Sequence, residues 1–355
     1  VADVLITGAG GFLGTELTRV FLASGHRVKA GDLEGVPLDW HGEQGAQTVR
    51  LDVRDPASLK AACADTDVVV HASGIFDLSA DRDTLWAVNA EGAKNMAQAA
   101  AESGTKRFVL VSSTSVYGRC GRDVTEESPH NPTHAYDISK EAGERMAIEA
   151  CEEKGLPWTA LRPTLIYGPR GRYGVAQAAA LFSLRTQMGL NSLRIAEGGP
   201  LGHHVHVTDV ARAAECLATH PDAVGSVFNV ADDAPLAAGD MIRVLCKSVG
   251  MEVKVPALPW WLAKLARFFK PIARTFLGRE NAKLAHIWGK ITDKFGLQDA
   301  LVPRMDLDWL DYMFIDHTYK NDRLKSLGFA FEYPDSSKGI GETLEWYKQE
   351  KWLPR

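Results

Sequence analysis

The stretch DVLITGAGGFLG, residues 3–14, decides how the chain is read. Its first five residues form a short apolar run rich in β-branched side chains, the pattern of a strand buried on both faces. Gly8, Gly11 and Gly14 follow, and Leu13, Leu17, Val20 and Phe21 then recur at i, i+4, i+7 and i+8, the spacing of an amphipathic helix. Glycine at such a turn lets backbone amides approach a pyrophosphate and lets the helix pack closely on the strand. The positive end of the helix then faces the anion. The spacing departs from G-x-G-x-x-G because position 13 is Leu, so the turn alone also fits an ordinary strand-to-helix connection.

Outward from it, DVVVHA (67–72), RFVLVSS (107–113), WTALRP (158–163) and VFNVA (227–231) repeat the buried-strand pattern. A helix opening near Tyr136 should stop at Lys154, Gly155 and Pro157. Strands alternating with helices specify a parallel sheet covered by helices on both faces. Asp32 closes the second strand pattern, HRVKAGD (26–32), where a carboxylate can bind both adenosine ribose hydroxyls and repel a 2′-phosphate. No Arg directly follows it, so NAD is expected rather than NADP. LDVRD (51–55) should end the third strand, placing Asp52 either against an adenine amino group or in a plain turn before Pro56.

The 355 residues suffice for a nucleotide-binding domain with a smaller companion, and the net charge of -5 opposes a general nucleic-acid binder. Five widely spaced cysteines, none in a C-x-x-C pair, read as reduced thiols of a cytoplasmic protein. The immediate strand pattern predicts no signal peptide, and no apolar run of about twenty residues is present to span a bilayer.

Candidate chemistry lies in HAYDISKEAGE (134–144), which puts Tyr136 and Lys140 one helical turn apart on one face. A phenol with pKa near 10 is a poor base at neutral pH. An ammonium about 4 Å away contributes up to roughly 4 kcal/mol, enough to lower that pKa. Lysine in that place can also hold a nicotinamide ribose. The spacing recurs at Tyr347 and Lys351, read as a chance match on a solvated helix. Only the first pair has a partner: RFVLVSS ends in Ser112 and Ser113 at the carboxyl edge of the sheet, where a hydroxyl can hold a substrate oxygen while tyrosine moves its proton.

In this order and distance, these motifs resemble the extended short-chain dehydrogenase/reductases. The likeness runs over roughly 3–232, through TGxxGxxG, VNAEGAKN (88–95), VSSTSVYG (111–118) and Tyr136-x-x-x-Lys140, and continues in LRPTLIYGPRG (161–171) and HVHVTDVARA (204–213). It implies a Rossmann-like doubly wound domain, residues 1–165 with 202–232 returning to it. It further implies a smaller, mainly helical substrate domain formed by 166–201 and 233–355. Ser113, Tyr136 and Lys140 are the implied catalytic residues. Gly8, Gly11, Phe12, Leu13, Gly14, Asp32, Leu33, Asp52 and Val53 are implied at the adenosine and pyrophosphate. Ala72, Ser73, Gly74, Asn89 and Pro163, with Tyr136 and Lys140, are implied toward the nicotinamide.

Substrate is read from departures within that likeness. Dehydratases carry an Asp-Glu pair after the catalytic hydroxyl residue, where this chain has Thr114 and Ser115. Many nucleotide-sugar epimerases read R-Y-x-N, where this chain has Arg162, Pro163, Thr164 and Leu165. The motif is closer to the 3β-hydroxysteroid and sterol dehydrogenase branch, so a large apolar alcohol is expected, with a retained-NAD 4-epimerase and a non-catalytic dinucleotide sensor as alternatives. Arg170 and Arg172 meet a substrate anion or are solvated loop residues, the latter being expected.

PWWLAKLARFFKPIARTFLGR (259–279) carries five basic residues, five large aromatics and no acid. It reads either as an amphipathic helix at a membrane interface, interrupted at Pro271, or as a packed domain helix with a basic outer face. His203, His204 and His206 precede Thr208 and Asp209, expected to cap a helix, so no metal is expected. The Ala-rich helix around NMAQAAAES (95–103) either pairs with the Tyr136 helix in a homodimer or simply covers the sheet.

Overall fold

The short apolar runs become strands of one seven-stranded parallel sheet in the computed structural model, which describes residues 1–76, 80–258, 270–305 and 314–355. The strands are β1 (Asp3–Thr7), β2 (Arg27–Asp32), β3 (Gln47–Arg50), β4 (Val68–His71) and β5 (Arg107–Val111), then Trp158–Pro163 and Ser226–Val230. From one edge the order is Ser226–Val230, Trp158–Pro163, β5, β4, β1, β2, β3. Chain order reverses between β1 and β4, and the crevice beyond the carboxyl ends of those strands is where an open α/β sheet binds ligands.

Strand alternation sends successive side chains into two different cores. Val4, Ile6, Val68, Val70, Val109 and Val111 meet Leu17 and Phe21 of the first helix (Phe12–Ala23) and Val210 and Leu217 of the helix Val207–Thr219. Leu5, Val69, Phe108 and Leu110 face the other way, onto Met96 and Ala100 of the helix Gly92–Glu102 and Ala147 and Cys151 of the Tyr136 helix (Ala135–Lys154). The Ala-rich helix thus covers the sheet beside the Tyr136 helix.

The glycine turn is fixed by close approach. Gly8 has φ +69, and a Cβ at Gly14 would lie 2.0 Å from the Gly8 carbonyl oxygen, so any side chain there pushes the helix off the strand. At the other end of the Tyr136 helix, Gly155 caps in the left-handed conformation with φ 67, as the stop signal required.

A third core gathers Tyr167, Ala176, Leu184, Met241, Leu245, Ile340, Leu344 and Tyr347. Two ties join it to the sheet. Buried Asp209 accepts from the amides of Glu332 (2.8 Å) and Tyr333 (2.9 Å), so it fastens the C-terminal segment; the helix cap is His206, whose Nδ1 accepts from Thr208 N, and not Thr208 or Asp209. Tyr347, on the C-terminal helix Ser336–Gln349, donates its hydroxyl to the carbonyls of Gly168 (3.1 Å) and Gly171 (2.9 Å). The expected solvated helix is therefore wrong for this residue: Tyr347 is 1% exposed, because its ring fills the third core while its hydroxyl anchors a loop. Lys351 lies beyond the helix end.

Residues 259–269 of the basic segment lie outside the described residues, and 270–279 open the helix Lys270–Phe295, on which Phe276 is exposed. Among the described residues no helix is long and apolar enough to cross a membrane.

Two glycine substitutions separate crowding from helix propensity. Gly14→Ala is expected to cost about 2 kcal/mol or more, as overpacking against backbone does, and to weaken NADH binding. Gly341→Ala, which meets open space on the C-terminal helix, is expected to gain roughly 0.5–1 kcal/mol. Thermal unfolding and NADH fluorescence titration of both variants check this.

Candidate active site

Beyond the carboxyl ends of β1 and β4 lies a cavity of about 1320 Å³. Gly8, Gly11, Phe12, Leu13 and Gly14 form one wall, and no side chain caps the first helix, whose N-cap is Gly11. Its first-turn amides are therefore available to an anion. Asp32 at the end of β2 accepts from Gly10 N (2.9 Å) and Leu33 N (2.8 Å), which ties the glycine loop to the second strand and aims the carboxylate. Arg50, one strand over, donates to the carbonyls of Leu33 (2.8 Å) and Val36 (2.7 Å). It braces the loop after Asp32, a contribution that the sequence pattern did not suggest. Asp52 and Val53 also line the cavity, but Asp52 accepts from the amide of Arg54 (2.9 Å) and pairs with its guanidinium (2.6 Å), which holds its carboxyl below the usual range. Asp52 is thus a turn aspartate at the cavity edge. The crowded glycines, uncapped amides and oriented Asp32 together fit a dinucleotide.

Ala72, Ser73, Gly74 and Pro163 line the same cavity toward the reacting end. Asn89 does not line it. Buried in a π-helical turn (Trp86–Glu91), it accepts from Ile75 N (2.8 Å) and donates to Ile75 O (3.1 Å) and Ser139 Oγ (3.0 Å). Ser139 in turn donates to Tyr136 O (2.7 Å). Its amide is used up in clamping the loop after β4 to the Tyr136 helix, so Asn89 positions both without reaching a ligand.

Ser113, Tyr136 and Lys140 converge on the cavity. Ser113 caps the 3₁₀ turn Thr114–Tyr117, its Oγ accepting from Ser115 N (3.1 Å), which leaves its own O–H to donate. Burial raises the Tyr136 pKa above the phenol range, and the hydrogen bond with Ser113 opposes that rise. Lys140 Nζ donates to Val111 O (2.8 Å), and burial holds its pKa down to about 8. The expected tuning of Tyr136 by Lys140 is therefore not the arrangement found: Ser113 supplies the opposing interaction, while the lysine is turned to the end of β5.

A buried ion pair sets these elements against one another. Arg162, just before Pro163, donates from Nε to Glu144 (2.9 Å) and from Nη2 to the other carboxylate oxygen. Glu144 lies two turns beyond Tyr136 on the same helix face. Arg162 also donates to the Tyr117 hydroxyl (2.6 Å), which donates to Asn229 Oδ1 (2.8 Å). The Ser113 turn, the Tyr136 helix and the strand ending at Pro163 thus meet in one network.

The remaining cavity wall is aromatic and apolar. Phe76 meets the Tyr136 ring edge-on with centroids 5.0 Å apart, and Tyr173 meets Phe76 edge-on at 5.3 Å. Leu165 lines the cavity where epimerases were noted to carry an amide, and Leu236, Met241, Ile315 and Trp352 add apolar surface. These residues come from distant segments with no local motif, so periodicity had nothing to report. Arg170 stacks on Trp40 (5.0 Å), and Arg172 stacks on Trp352 (4.3 Å) and pairs with Asp299 (3.7 Å). Both are exposed, yet each lies on a ring instead of standing free in solvent. Among the described residues no three His, Cys, Asp or Glu side chains group as metal ligands.

Comparison with known proteins places this geometry. Residues 4–231 match the family described as NAD dependent epimerase/dehydratase. The UDP-glucose 4-epimerase of Vibrio cholerae is 27% identical over 272 residues, covering 74% of this chain and 80% of its own. The mouse (Mus musculus) 3 beta-hydroxysteroid dehydrogenase type 7 is 33% identical over 186 residues, 46% of this chain and 50% of its own. The fold matches the UDP-glucose 4-epimerase of Thermus thermophilus complexed with NAD, with a TM-score of 0.69 and 19% identity, over 98% of this chain and 99% of that one.

Removing the phenol hydroxyl in Tyr136→Phe is expected to lower kcat by roughly 10²–10⁴-fold, the range for a positioned proton-transfer group. Because burial favours the protonated phenol, alcohol oxidation by the wild type should rise with pH from neutrality upward, and carbonyl reduction should fall only in the alkaline range. Initial rates in both directions from about pH 6 to 10, which brackets the ordinary phenol pKa, check this.

Proposed function

The chain belongs to the NAD dependent epimerase/dehydratase family, and within it we propose an NAD-dependent dehydrogenase that oxidises a hydrophobic secondary alcohol or reduces the matching ketone. The substrate class in this reading is a 3β-hydroxysteroid or sterol, including a 4-carboxysterol whose oxidation leads to decarboxylation. The observation that carries it is the aromatic wall of Phe76 and Tyr173 against the Tyr136 ring, joined by Leu165 and Met241. An apolar skeleton loses water against such a wall, at about 25 cal/mol per Å² of apolar surface buried.

In the oxidation direction Ser113 donates its O–H to the substrate oxygen while Tyr136 accepts the hydroxyl proton. Lys140 holds the nicotinamide ribose from its place between Val111 O and Gly74. The bound nicotinamide supplies the hydride acceptor. Asp32 holds the adenosine ribose, and the first-helix amides hold the pyrophosphate. Thr114 donates to Pro163 O (3.3 Å) and so is committed to the backbone. Neither it nor Ser115 offers the carboxyl groups that elimination would need.

The relatedness to the Vibrio cholerae UDP-glucose 4-epimerase favours a second reading, a nucleotide-sugar 4-epimerase that retains its NAD. It requires a diphosphate partner, and Arg170 and Arg172, which line the cavity, lie on Trp40 and Trp352. The same dehydrogenase reading takes segment 259–279 as the place where a lipid-borne alcohol is collected, and takes the protein as a homodimer.

The deciding assay follows NADH absorbance with NAD and a panel of 3β-hydroxysteroids, 4-carboxysterols and UDP-sugars. Turnover of sterol-type alcohols, lost in Tyr136→Phe, is expected. Interconversion of a UDP-sugar without net NADH, together with silence on every sterol, selects the epimerase, and equal rates for wild type and variant select a non-catalytic dinucleotide binder.

A further inference from the structure

In the histidine run GHHVHV (202–207), His206 caps a helix, while His203 and His204 both line the cavity, His204 from a short strand in which it is buried. Two bonds fix His203. Its own backbone N–H donates to His317 O (3.0 Å), and its ring Nδ1 accepts from the backbone N–H of Tyr319 (2.9 Å). A backbone amide can only donate, so Nδ1 carries the lone pair and the ring proton of the neutral imidazole sits on Nε2. Burial holds the pKa down to about 4; Asp123 and Asp233 pull it up and Lys320 pushes it down. The ring is therefore uncharged at neutral pH. Its Nε2 bonds no described residue, and His203 lines the cavity.

The surroundings say what such a donor meets. Leu236 pairs with Gly202, next to His203, and Pro200, Leu236, Met241 and Ile315 add apolar surface to the same cavity. Tyr319 links this wall to the reacting end: its backbone holds His203 and its hydroxyl bonds Thr114, the residue after Ser113. The distance from the Ser113 turn to the imidazole is thus set by the length of one tyrosine.

We propose that His203 Nε2–H is a second recognition point for the substrate, donating to a carbonyl or hydroxyl oxygen at the end of the apolar skeleton remote from the carbon that reacts at Tyr136. The proposal rests on the dehydrogenase reading and deepens it. A fixed, uncharged donor favours a neutral oxygen acceptor. A skeleton lacking that oxygen covers the N–H without pairing it, so discrimination appears mainly in KM.

The test uses the whole 355-residue chain with NAD and two probes, 3β-hydroxyandrostan-17-one and its 17-deoxy counterpart. Wild type is expected to prefer the 17-ketone by roughly tenfold in kcat/KM, as one lost hydrogen bond in a buried site implies. The ratio should fall to near one in His203→Phe and recover in part in His203→Gln, whose amide can place an N–H where Nε2 stood. Turnover of both steroids with the same ratio in wild type and His203→Phe overturns the proposal, whereas wild-type silence on both is instead the failure of the dehydrogenase reading. A second measurement needs no substrate. Nitrogen-15 ring correlations of the NADH-bound wild type should show a neutral Nε2–H imidazole at position 203 from about pH 5 to 8, and an Nδ1–H tautomer or protonation near the ordinary histidine pKa of about 6.5 overturns the donor.

Discussion

A guanidinium taken out of water must be paired on all sides, and Arg162 is 3% exposed. Breaking such a pair from one side costs on the order of 3–5 kcal/mol because it strands a buried charge. Glu144 and the Tyr117 hydroxyl are therefore not free to drift from Arg162. Glu144 sits on the helix that carries Tyr136 and Lys140, Tyr117 closes the turn that begins at Ser113, and Arg162 adjoins Pro163. Three segments far apart in sequence are locked in register by one charge that has nowhere else to go. Asn89 performs a corresponding task on the same helix with neutral groups, and Gly143 admits the Asn89 carbonyl at a distance no Cβ would allow.

That division explains the layout of the cavity. Its cofactor half is made of backbone: glycine amides, the β1 and β4 ends, and a single oriented carboxylate. Backbone of this kind is specified locally, by residues adjacent in the chain. Its substrate half is made of side chains drawn from Phe76, Leu165, Tyr173, His203, Met241 and Trp352, and the only thing these share is the fold that collects them.

The same division decided what could be read in advance. The strands were legible because each is a continuous apolar run, and both sheet faces proved buried, with Val4 and Ile6 on one side and Leu5 on the other. The glycine turn, Asp32, Ser113 and the Tyr136/Lys140 pair were legible because each is a local pattern. Tyr347 was misread because a tyrosine on a polar-looking helix gives no sign that its ring fills a core or that its hydroxyl finds a partner at Gly171, 176 residues earlier in the chain. The partner of Asp209 was equally hidden, since two amides at 332 and 333 carry no sequence signature. The electrostatic argument for Lys140 failed for a related reason: spacing put the ammonium on the right face but said nothing of the Val111 carbonyl waiting there.

Tyr347 has one consequence for how the protein is made. Its hydroxyl holds both carbonyls that bracket Arg170, whose φ of +70 is uncommon for a non-glycine residue. All seven strands of the main sheet are complete by Val230, so a nascent chain can assemble its dinucleotide fold while more than a hundred residues are still to come. The loop over the first helix acquires its shape only when the helix Ser336–Gln349 arrives. A product that stops before Tyr347 would hold an intact sheet and an unfinished cleft.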